Sequence, residues 1–457
     1  MVVFSIIQKS QLEGAKRLDA EYYQPEYLEV VQKIQSIPHT SLDSYAEKVF
    51  SGPFGSTLKS ESYQDTGIPF IRISDISDLF IEKHSMVFIS PSEHKRIYSS
   101  HLGIGDIVLS KIGTVGRLSV ISEELGEVNI SENNIGIRLS KLPEERKIAL
   151  LFLLLSKYGQ KQLVRKASGN IQLKLNVGDV ESIQVPIFDG VMLQVLKNLY
   201  IDFLSKKDES DSLYAQAEGL LLEELGLKDF KADEDLYSIV KFSDIKSANR
   251  MDAEYFQPKY ERIISVSRKH SGKPLGELVT MKKGFEPGAD AYEEDGTLFI
   301  RVSSVSKHEL LEKDQKYINK KLYEELRKEY EPKKGEILLT KDASPGVAYA
   351  PDKAVEGIIS SGILRLKLKE EINPDYLALC INSVVGQMQV ERDAGGSVIA
   401  HWKPEQVKSL LVPILPRPTQ DKIAKLVRES HEARKKAKEL LEEAKRKVEE
   451  LIESNAK

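Results

Sequence analysis

Residues 17–27 read RLDAEYYQPEY, and residues 250–260 read RMDAEYFQPKY. Eight of these eleven positions are identical, although 233 residues separate the two strings in a chain of 457 residues. We call these strings the first and second lead motifs. A repeat with a period near half the chain is typical of one domain duplicated in tandem, and solenoid repeats are much shorter. The two lead motifs therefore predict a chain of two equivalent halves.

Four further matches follow the lead motifs in the same order, with an offset that decreases only from 233 to 227 residues. They pair residues 67–76 (GIPFIRISDI) with 296–305 (GTLFIRVSSV), 105–116 (GDIVLSKIGTVG) with 335–346 (GEILLTKDASPG), 159–170 (GQKQLVRKASGN) with 386–397 (GQMQVERDAGGS), and 185–187 (VPI) with 412–414 (VPI). We predict four segments: residues 1–188 hold the first lead motif and first body, 189–230 a long helix, 231–418 the second lead motif and second body, and 419–457 a second long helix.

The two bodies carry mixed secondary-structure signals. Apolar and β-branched residues at 70–73, 107–109, 299–302 and 337–339 predict short strands, several of them after Gly-acid turns. Glu144 and Glu145 follow Pro143 and precede the apolar run 148–155, which predicts a helix. Each body is therefore expected to be α+β, with many short strands.

The closing segment of each half has heptad spacing with charged residues between the apolar positions. Thr419 is the predicted N-cap of the second helix. A helix of about 35 residues would be about 53 Å long, so we expect the two helices to pack on each other, antiparallel, as a coiled coil with pseudo-twofold halves. The alternative is that each helix lies on its own body. The packing positions predicted are Leu196, Leu199, Phe203, Leu213, Ala217, Leu220, Ile423, Leu426, Ala433, Ala437, Leu440, Ala444 and Leu451.

Composition limits the class of protein. A chain with 41% hydrophobic and 30% charged residues is expected to be soluble and globular. The single cysteine, Cys380, excludes an internal disulfide framework and a multi-cysteine zinc site, and it suits a cytoplasmic protein. The apolar run 148–155 is too short to span a membrane, and no secretory signal opens the sequence.

The formal net charge of −4 argues mildly against a nucleic-acid partner until its distribution is considered. Residues 189–236 alone carry −7, so the rest of the chain sums to +3. Between residues 146 and 178 there are seven basic residues and no acidic one. This stretch is either an anion-binding surface or a solvated helix face.

The sequence contains no P-loop, dinucleotide fingerprint, nucleophile elbow or zinc-protease motif. Residues 373–376 read NPDY and lack the second proline of an amino-methyltransferase motif. We therefore expect a binding protein, with no catalytic or metal-ligating residue.

The order of these motifs, present twice, resembles the specificity subunit of Type I restriction-modification enzymes. The resemblance is carried by GIPFIRISDI, GDIVLSKIGTVG, the small-residue turn at residues 395–397 and VPILPRPTQ at residues 412–420. The first half departs from the pattern, because residues 188–190 read FDG in place of the proline-rich turn. The loop GPFG at residues 52–55 also has only a loose counterpart at residues 284–288 (GFEPG).

The resemblance implies two target-recognition domains, each of which binds one half of a split, asymmetric sequence in double-stranded DNA. The helices would set the spacer and dock two methyltransferase subunits, and restriction/translocase subunits would join for cleavage. S-adenosylmethionine, ATP and Mg would belong to those partners, and this chain would have no cofactor and no membrane partner. The competing class is a non-catalytic coiled-coil scaffold that binds other proteins.

Candidate DNA contacts follow from residue chemistry, since Asn and Gln pair with adenine edges and Lys or Arg with guanine or phosphate. Arg72 and Arg301 alternate with apolar residues on matched strands, so they are expected to face away from the core. There they would either contact DNA or form salt bridges at a sheet edge. Trp402 is expected to be a packing residue rather than a base-stacking one. The full set of predicted contacts is Lys59, Arg72, Lys111, Arg117, Lys166, Asn170, Gln172, Lys174, Arg301, Lys341, Ser397, His401 and Lys403.

Overall fold

The computed structural model describes residues 4–10, 12, 17–54, 57–77, 79–83, 86–169, 172–231, 238–311, 315–394 and 400–455. The chain forms two compact units. Unit 1 comprises Met1–Leu204 and Ala437–Lys457, and unit 2 comprises Ser205–Lys436. Each unit therefore contains one of the two bodies, the beginning of the long helix that follows it, and the end of the other long helix.

The body of unit 1 is rich in short strands. Its strands are β1 His39–Ser41, β2 Lys48–Ser51, β3 Ile68–Ile71, β4 Val87–Ile89, β5 His101–Leu102, β6 Ile107–Ser110, β7 Leu118–Val120, β8 Val128–Ile130, β9 Asn134–Arg138 and β10 Gln184–Pro186. Its helices are α1 Pro25–Gln35, α2 Pro91–Arg96, α3 Glu144–Leu155, α4 Lys157–Lys166 and α5 Val177–Glu181. The first long helix, α6, then spans Gly190–Glu224.

Among the described residues, the strands of unit 1 form two four-stranded sheets and one two-stranded sheet. One sheet has the order β2-β9-β6-β7 and is antiparallel throughout. The other has the order β4-β3-β8-β5, with β3 and β8 parallel. Strand β1 pairs with β10 and so joins the start of the body to its end.

The body of unit 2 repeats this plan. Its strands are β11 Lys273–Pro274, β12 Val279–Lys283, β13 Thr297–Ile300, β14 Lys316–Ile318, β15 Ile337–Thr340, β16 Asp342–Ala343, β17 Ala348–Tyr349, β18 Gly357–Ile359, β19 Ile363–Leu368, β20 Ala400–His401 and β21 Leu411–Val412. Its helices are α7 Phe242–Ala248, α8 Pro258–Lys269, α9 Leu275–Leu278, α10 Lys320–Tyr330, α11 Pro374–Asn382, α12 Val384–Asp393 and α13 Pro404–Ser409. The second long helix, α14, spans Arg417–Asn455.

The sheets of unit 2 have the orders β12-β19-β15-β17 and β14-β13-β18, with β13 and β18 parallel. Two short antiparallel pairs, β11-β21 and β16-β20, complete the unit among its described residues. The first order matches the fully antiparallel four-stranded sheet of unit 1, β2-β9-β6-β7, strand for strand. The mixed α+β architecture expected from the sequence is thus observed in each unit.

The core of each body is a helix that is buried almost all round. In unit 1 this helix is α3, in which every residue from Ile148 to Leu154 is buried. In unit 2 it is α11, buried from Asp375 to Ile381. A helix without a polar face must be covered on all sides. The antiparallel four-stranded sheet of each unit and the long helices provide that cover.

Several element boundaries differ from the sequence predictions. Helix α3 begins at Glu144, as expected after Pro143. Thr419 is not an N-cap, because α14 already begins at Arg417; Pro418 fits the first turn, where its missing N–H is not needed. The first long helix ends at Glu224, earlier than 230, because Gly226 adopts a left-handed φ of 67° and closes the helix end.

Within the described ranges, no helix is both long enough and apolar enough to cross a membrane.

Candidate nucleic-acid interface

Lys111 lies at a point of unit 1 where three loops meet. It follows β6, and its Nζ donates to Ser51 Oγ at 2.8 Å and to the carbonyl oxygen of Glu132 at 3.3 Å. Its backbone carbonyl accepts from Leu175 N at 2.9 Å, which attaches the segment after α4. Burial, and then the nearby charge of Lys174, lowers the pKa of Lys111. Lys111 is therefore a half-buried cation that organises the surrounding loops.

Ser168 and Lys174 lie beside Lys111 and are the two ends of a segment that we call the 168–174 turn, of which residues 170 and 171 lie outside the described residues. Ser168 and Lys174 close its base with two backbone hydrogen bonds of 2.9 and 2.8 Å, and Ile112 also bridges to Lys174. Gln172 and Lys174 are exposed on this turn. Asn170, which was predicted to contact DNA, lies outside the described residues. The turn thus presents an amide and an ammonium group to solvent, the two chemistries expected of a DNA contact.

Lys166 ends helix α4, immediately before this turn. Its Nζ donates to Ser182 Oγ at 2.7 Å, and burial, followed by the charge of Arg165, lowers its pKa. The carbonyl oxygen of Lys166 accepts from Arg17 at 2.9 Å. Lys166 is therefore half-buried and held by Ser182 and Arg17, whereas Gln172 and Lys174 are exposed.

The matching place in unit 2 has different chemistry. Lys341 follows β15 and pairs with Asp342, whose Oδ1 also lies 2.8 Å from His401 Nδ1. Burial alone would raise the pKa of Asp342, but the hydrogen bonds from Lys341 and His401 lower it below its usual value. The His401 side chain is 62% exposed, so this triad presents an imidazole at the surface.

Trp402 follows His401 and is 1% exposed, which agrees with the packing role predicted from the sequence. Its backbone N donates to the Lys341 carbonyl at 2.8 Å, as Leu175 N does to the Lys111 carbonyl in unit 1. Lys403 is exposed at the start of α13. Ser397, predicted to contact DNA, lies outside the described residues.

The two predicted strand arginines are not strand residues. Strand β3 ends at Ile71 and β13 at Ile300, so Arg72 and Arg301 each stand directly after a strand and begin a short 3-10 turn. Arg72 pairs with the fully buried Asp75 through a 2.9 Å contact, which raises the pKa of the arginine. The ion pair explains the position of Arg72. The prediction that Arg72 and Arg301 alternate with apolar residues on strands is wrong, because both arginines follow the end of their strand.

The two remaining predicted contacts, Lys59 and Arg117, are distant in sequence from the turn at residues 168–174. Lys59 is exposed before a short 3-10 turn at Ser60–Ser62. Arg117 is half-buried just before β7, and its carbonyl oxygen accepts from Ser110 N at 2.8 Å. Within the described ranges, no group of three or more His, Cys, Asp or Glu side chains is placed to hold a metal ion.

The long helices are buried along seams that the heptad pattern located approximately. In unit 1, the early part of α6 and the late part of α14 share one core, with Leu196, Phe203, Ala437 and Ala444 buried. In unit 2, the late part of α6 and the early part of α14 share another, and Ser430 Oγ donates to the carbonyl oxygen of Ser210 at 2.7 Å. Of the other predicted positions, Ala217, Ile423 and Ala433 are buried, whereas Leu199, Leu213, Leu220, Leu426, Leu440 and Leu451 are half-buried.

The sequence analysis did not predict some residues that hold Lys111 and His401 in position. Ser51 and Glu132 hold Lys111, and Asp342 joins Lys341 to His401, yet none of the three was predicted as a contact. A signal did exist for Asp342, because GDIVLSKI matches GEILLTKD and so places an acid directly after the matched lysine.

Comparison with known proteins gives one family match. Residues 271–443 match the family model described as Type I restriction modification DNA specificity domain. No protein of curated function matches the chain. Solved structures similar to it include a Type-I restriction-modification system S subunit from M. genitalium, with 12% identity, 92% of this chain and 96% of that chain covered, and a TM-score of 0.39. The HsdS subunit from Thermoanaerobacter tengcongensis has 12% identity, covers 92% and 96%, and has a TM-score of 0.28. The family match confirms the predicted resemblance over residues 271–443.

Proposed function

We propose, from the membership of residues 271–443 in the Type I restriction modification DNA specificity family, that the whole chain is the DNA-recognition subunit of such a system. The first half carries the same motifs in the same order and so would be a second recognition domain. Each body would bind one half of a split target in double-stranded DNA. The chain would have no catalytic activity or cofactor of its own and would act in the cytoplasm.

The observation that carries this proposal is the paired pattern after β6 and β15. Each unit places a lysine directly after a strand of its antiparallel four-stranded sheet. The backbone carbonyl of that lysine accepts from Leu175 N in unit 1 and from Trp402 N in unit 2. Exposed polar groups then stand beside the lysine, Gln172 and Lys174 in unit 1 and His401 in unit 2. Loops that a rigid sheet positions are the usual carriers of binding residues.

The two places differ in the hydrogen-bond groups that they offer. Unit 1 presents an amide and an ammonium group from Gln172 and Lys174, whereas unit 2 presents the imidazole of His401 held by Asp342. Because each base pair shows its own set of donors and acceptors in the major groove, different side chains select different bases. This difference supports a target whose two halves have unrelated sequences.

The long helices support the second part of the proposal. In unit 1 the early residues of α6 pack with the late residues of α14, and in unit 2 the late residues pack with the early ones, as an antiparallel pair requires. Such a coiled coil would set the length of the unread spacer. It would also dock two methyltransferase subunits that use S-adenosylmethionine, and restriction/translocase subunits that use ATP and Mg would complete the assembly.

The proposal is tested by long-read methylation sequencing of a host that expresses the chain with the methyltransferase encoded beside its gene. The expected result is an adenine-methylated, asymmetric motif interrupted by unread bases, absent when the chain is omitted. A chain that binds the methyltransferase but directs no sequence-specific methylation would support the competing coiled-coil scaffold. Nearly neutral bodies predict modest phosphate affinity for the isolated chain, so the whole assembly is the appropriate sample.

A further inference from the structure

Each lead motif is attached to its own unit by an arginine. In unit 1, Arg17 pairs with Asp19, and its guanidinium donates to the carbonyl oxygens of Lys166 at 2.9 Å and Ala167 at 3.1 Å. The hydroxyl of the buried Tyr23 donates to the carbonyl of Arg17 at 3.0 Å. The inner side of the first lead motif is therefore fastened to the end of α4.

The second lead motif is fastened in the same way. Arg250 pairs with Asp252 at 2.8 Å, and its guanidinium donates to the carbonyl oxygen of Arg392 at 3.2 Å, near the end of α12. The ring of Tyr255 lies 4.6 Å below the guanidinium of Arg250 and 4.9 Å below that of Arg392. Tyr22 likewise lies 4.7 Å from the guanidinium of Arg17. These contacts account for the identity of the arginine, aspartate and first tyrosine in the two motifs.

The outer side of each motif is exposed, and it too is repeated. Leu18 is 86% exposed, and its counterpart Met251 is 84% exposed. The first two residues of the 3-10 turn are exposed in both units and identical, as Ala20 with Ala253 and Glu21 with Glu254. Neither burial nor the arginine contacts explain why these outer positions are kept.

Further apolar side chains enlarge this surface in each unit. Ser5 Oγ donates to the carbonyl of Tyr23 at 2.5 Å, which places its neighbour Ile6, 90% exposed, beside the first lead motif. In the same way, Ser238 Oγ donates to the carbonyl of Phe256 at 2.8 Å and brings Ile239, 93% exposed, beside the second. Each unit thus has two strongly exposed apolar side chains on or near its lead motif, and large exposed apolar areas are typical of protein interaction sites.

We propose that this repeated outer surface, Leu18-Ala20-Glu21 in unit 1 and Met251-Ala253-Glu254 in unit 2, is a docking surface that takes the same protein partner twice. Two copies of one surface fit two copies of one partner. The partner should offer an apolar pocket with a basic side chain beside it, to receive the leucine or methionine and the glutamate. The inference rests on the proposed function, in which that partner is the methyltransferase subunit.

The attachment of the lead motifs gives the docking surface a second consequence. Arg17 holds the end of α4, and the exposed turn at residues 168–174 begins two residues later. Arg250 likewise holds the end of α12, directly before the segment that leads to His401. A partner bound to either surface would therefore contact the lead motif whose arginine holds the neighbouring recognition segment in place.

The test uses the full chain co-expressed with the methyltransferase subunit, with native mass spectrometry for stoichiometry and titration for affinity. Leu18→Ser and Met251→Ser are each expected to weaken one of two sites at least tenfold, the size of an interface hot spot, and to leave complexes with one partner copy. The double variant should bind both copies at least tenfold more weakly, because only the contacts of the coiled coil would remain. Glu21→Lys and Glu254→Lys should act in the same direction, because each places a cation against the basic rim of the pocket.

Matched controls are Ile104→Ser in unit 1 and Leu311→Ser in unit 2, which remove exposed apolar side chains elsewhere. Both controls should keep two partner copies. If the double variant also keeps two copies at wild-type affinity, or if both sites depend on Leu18 alone, the docking inference is overturned. A wild-type chain that binds no methyltransferase and directs no split methylation would instead overturn the proposed function.

Discussion

Lys174 and Gln172 project from the turn at residues 168–174, and Lys166 and Lys111 support that turn. We expect Lys174→Ala to raise the Kd of the assembled complex for its DNA target about tenfold, and to reduce the salt dependence of binding by about one phosphate contact if Lys174 binds the backbone. Fluorescence anisotropy at several salt concentrations measures both effects.

The control for this prediction is Lys161→Ala. Lys161 belongs to the same basic stretch, but it pairs with Glu26 at 2.8 Å. Its removal should leave the Kd for DNA within about twofold. Equal losses for Lys161 and Lys174 would mean that the stretch acts only through its overall charge.

Two buried histidines in unit 2 predict a dependence of stability on pH. The His308 and His431 rings lie 6.2 Å apart, and the Tyr214 and Tyr349 rings contact one each. Burial, followed for His308 by the charges of Arg434 and Lys307, lowers the pKa of His308 to about 3. Burial also lowers the pKa of His431 to about 4, against a smaller raising effect of the Lys307 carbonyl and of Asp352.

Because both pKa values are lower in the folded state, protonation favours unfolding. The contribution of the neutral pair is complete above pH 6.5 and is lost as the pH falls toward 4. We expect the free energy of unfolding of unit 2 to decrease by up to about 1.4 kcal/mol per pH unit for each histidine in that window. Trp402 is the only tryptophan and is buried in unit 2, so its fluorescence reports this unfolding.

His308→Phe is the matched variant, because His308 Nδ1 is buried without a hydrogen-bond partner in the described part of the chain. Phenylalanine keeps the ring against Tyr214 and cannot be protonated. Its free energy of unfolding should therefore depend less on pH between 6.5 and 4 than that of the wild type. Parallel pH profiles for the two proteins would contradict the assignment.

At the residue scale, the sequence predicted the positions of the matched lysines better than the partners of the charged side chains. The matched strings put Lys111 and Lys341 after equivalent strands, and the structure has them there. A salt bridge of Arg72 was one of the two alternatives, but its partner Asp75 was not predicted, because the ion pair depends on a 3-10 turn that begins where the strand ends. Apolar alternation cannot report the residue at which a strand stops.

At the scale of elements, the heptad pattern found both long helices but was one position away from parts of their seams. Tyr214 and Leu221 are buried in α6, where Leu213 and Leu220 were predicted. Val448 and Ile452 are buried in α14 beyond the predicted Ala444. An α-helix has 3.6 residues per turn, so a strict seven-residue count drifts across the buried face of a helix this long.

One part of the seam in unit 2 is polar. Ser210 and Ser430 are fully buried, and their hydroxyls lie 3.2 Å apart. A buried polar pair costs stability against an apolar one, but it favours one register of two helices over shifted ones. A change in the length of the helices must therefore keep this pair in register.

Insertion of one heptad into both long helices, within residues 190–204 and 437–455, tests the proposed spacer role. Seven residues lengthen a helix by about 10 Å, which corresponds to about three base pairs of duplex. We expect the unread spacer of the methylated motif to lengthen by about that amount, or methylation to be lost, while both halves of the motif stay the same. Methylation sequencing gives the spacer directly.

The control is a seven-residue insertion after Glu123, in the exposed turn between β7 and β8, which leaves the helices unchanged. This control should keep the original spacer. An unchanged spacer in the helix variant, with methylation retained, would show that the helices do not set the distance between the half-sites.

At the scale of the whole molecule, the sequence similarity between the two halves differs from segment to segment. The lead motifs keep eight of eleven identities, and the closing segments keep their heptad character, whereas the bodies match only in short strings. Each unit also combines one body with parts of both long helices. Such an arrangement allows a body to be exchanged while the lead motifs and helices that would serve partners stay the same.

Exchange of residues 38–188 for the corresponding body of a relative should therefore change one half of the methylated motif and leave the other half and the spacer as they were. The reciprocal exchange of residues 271–418 should change only the other half. Each body has its own hydrophobic core, so the two exchanges should be additive when combined. A single exchange that altered both halves, or neither, would mean that the bodies do not recognise DNA independently.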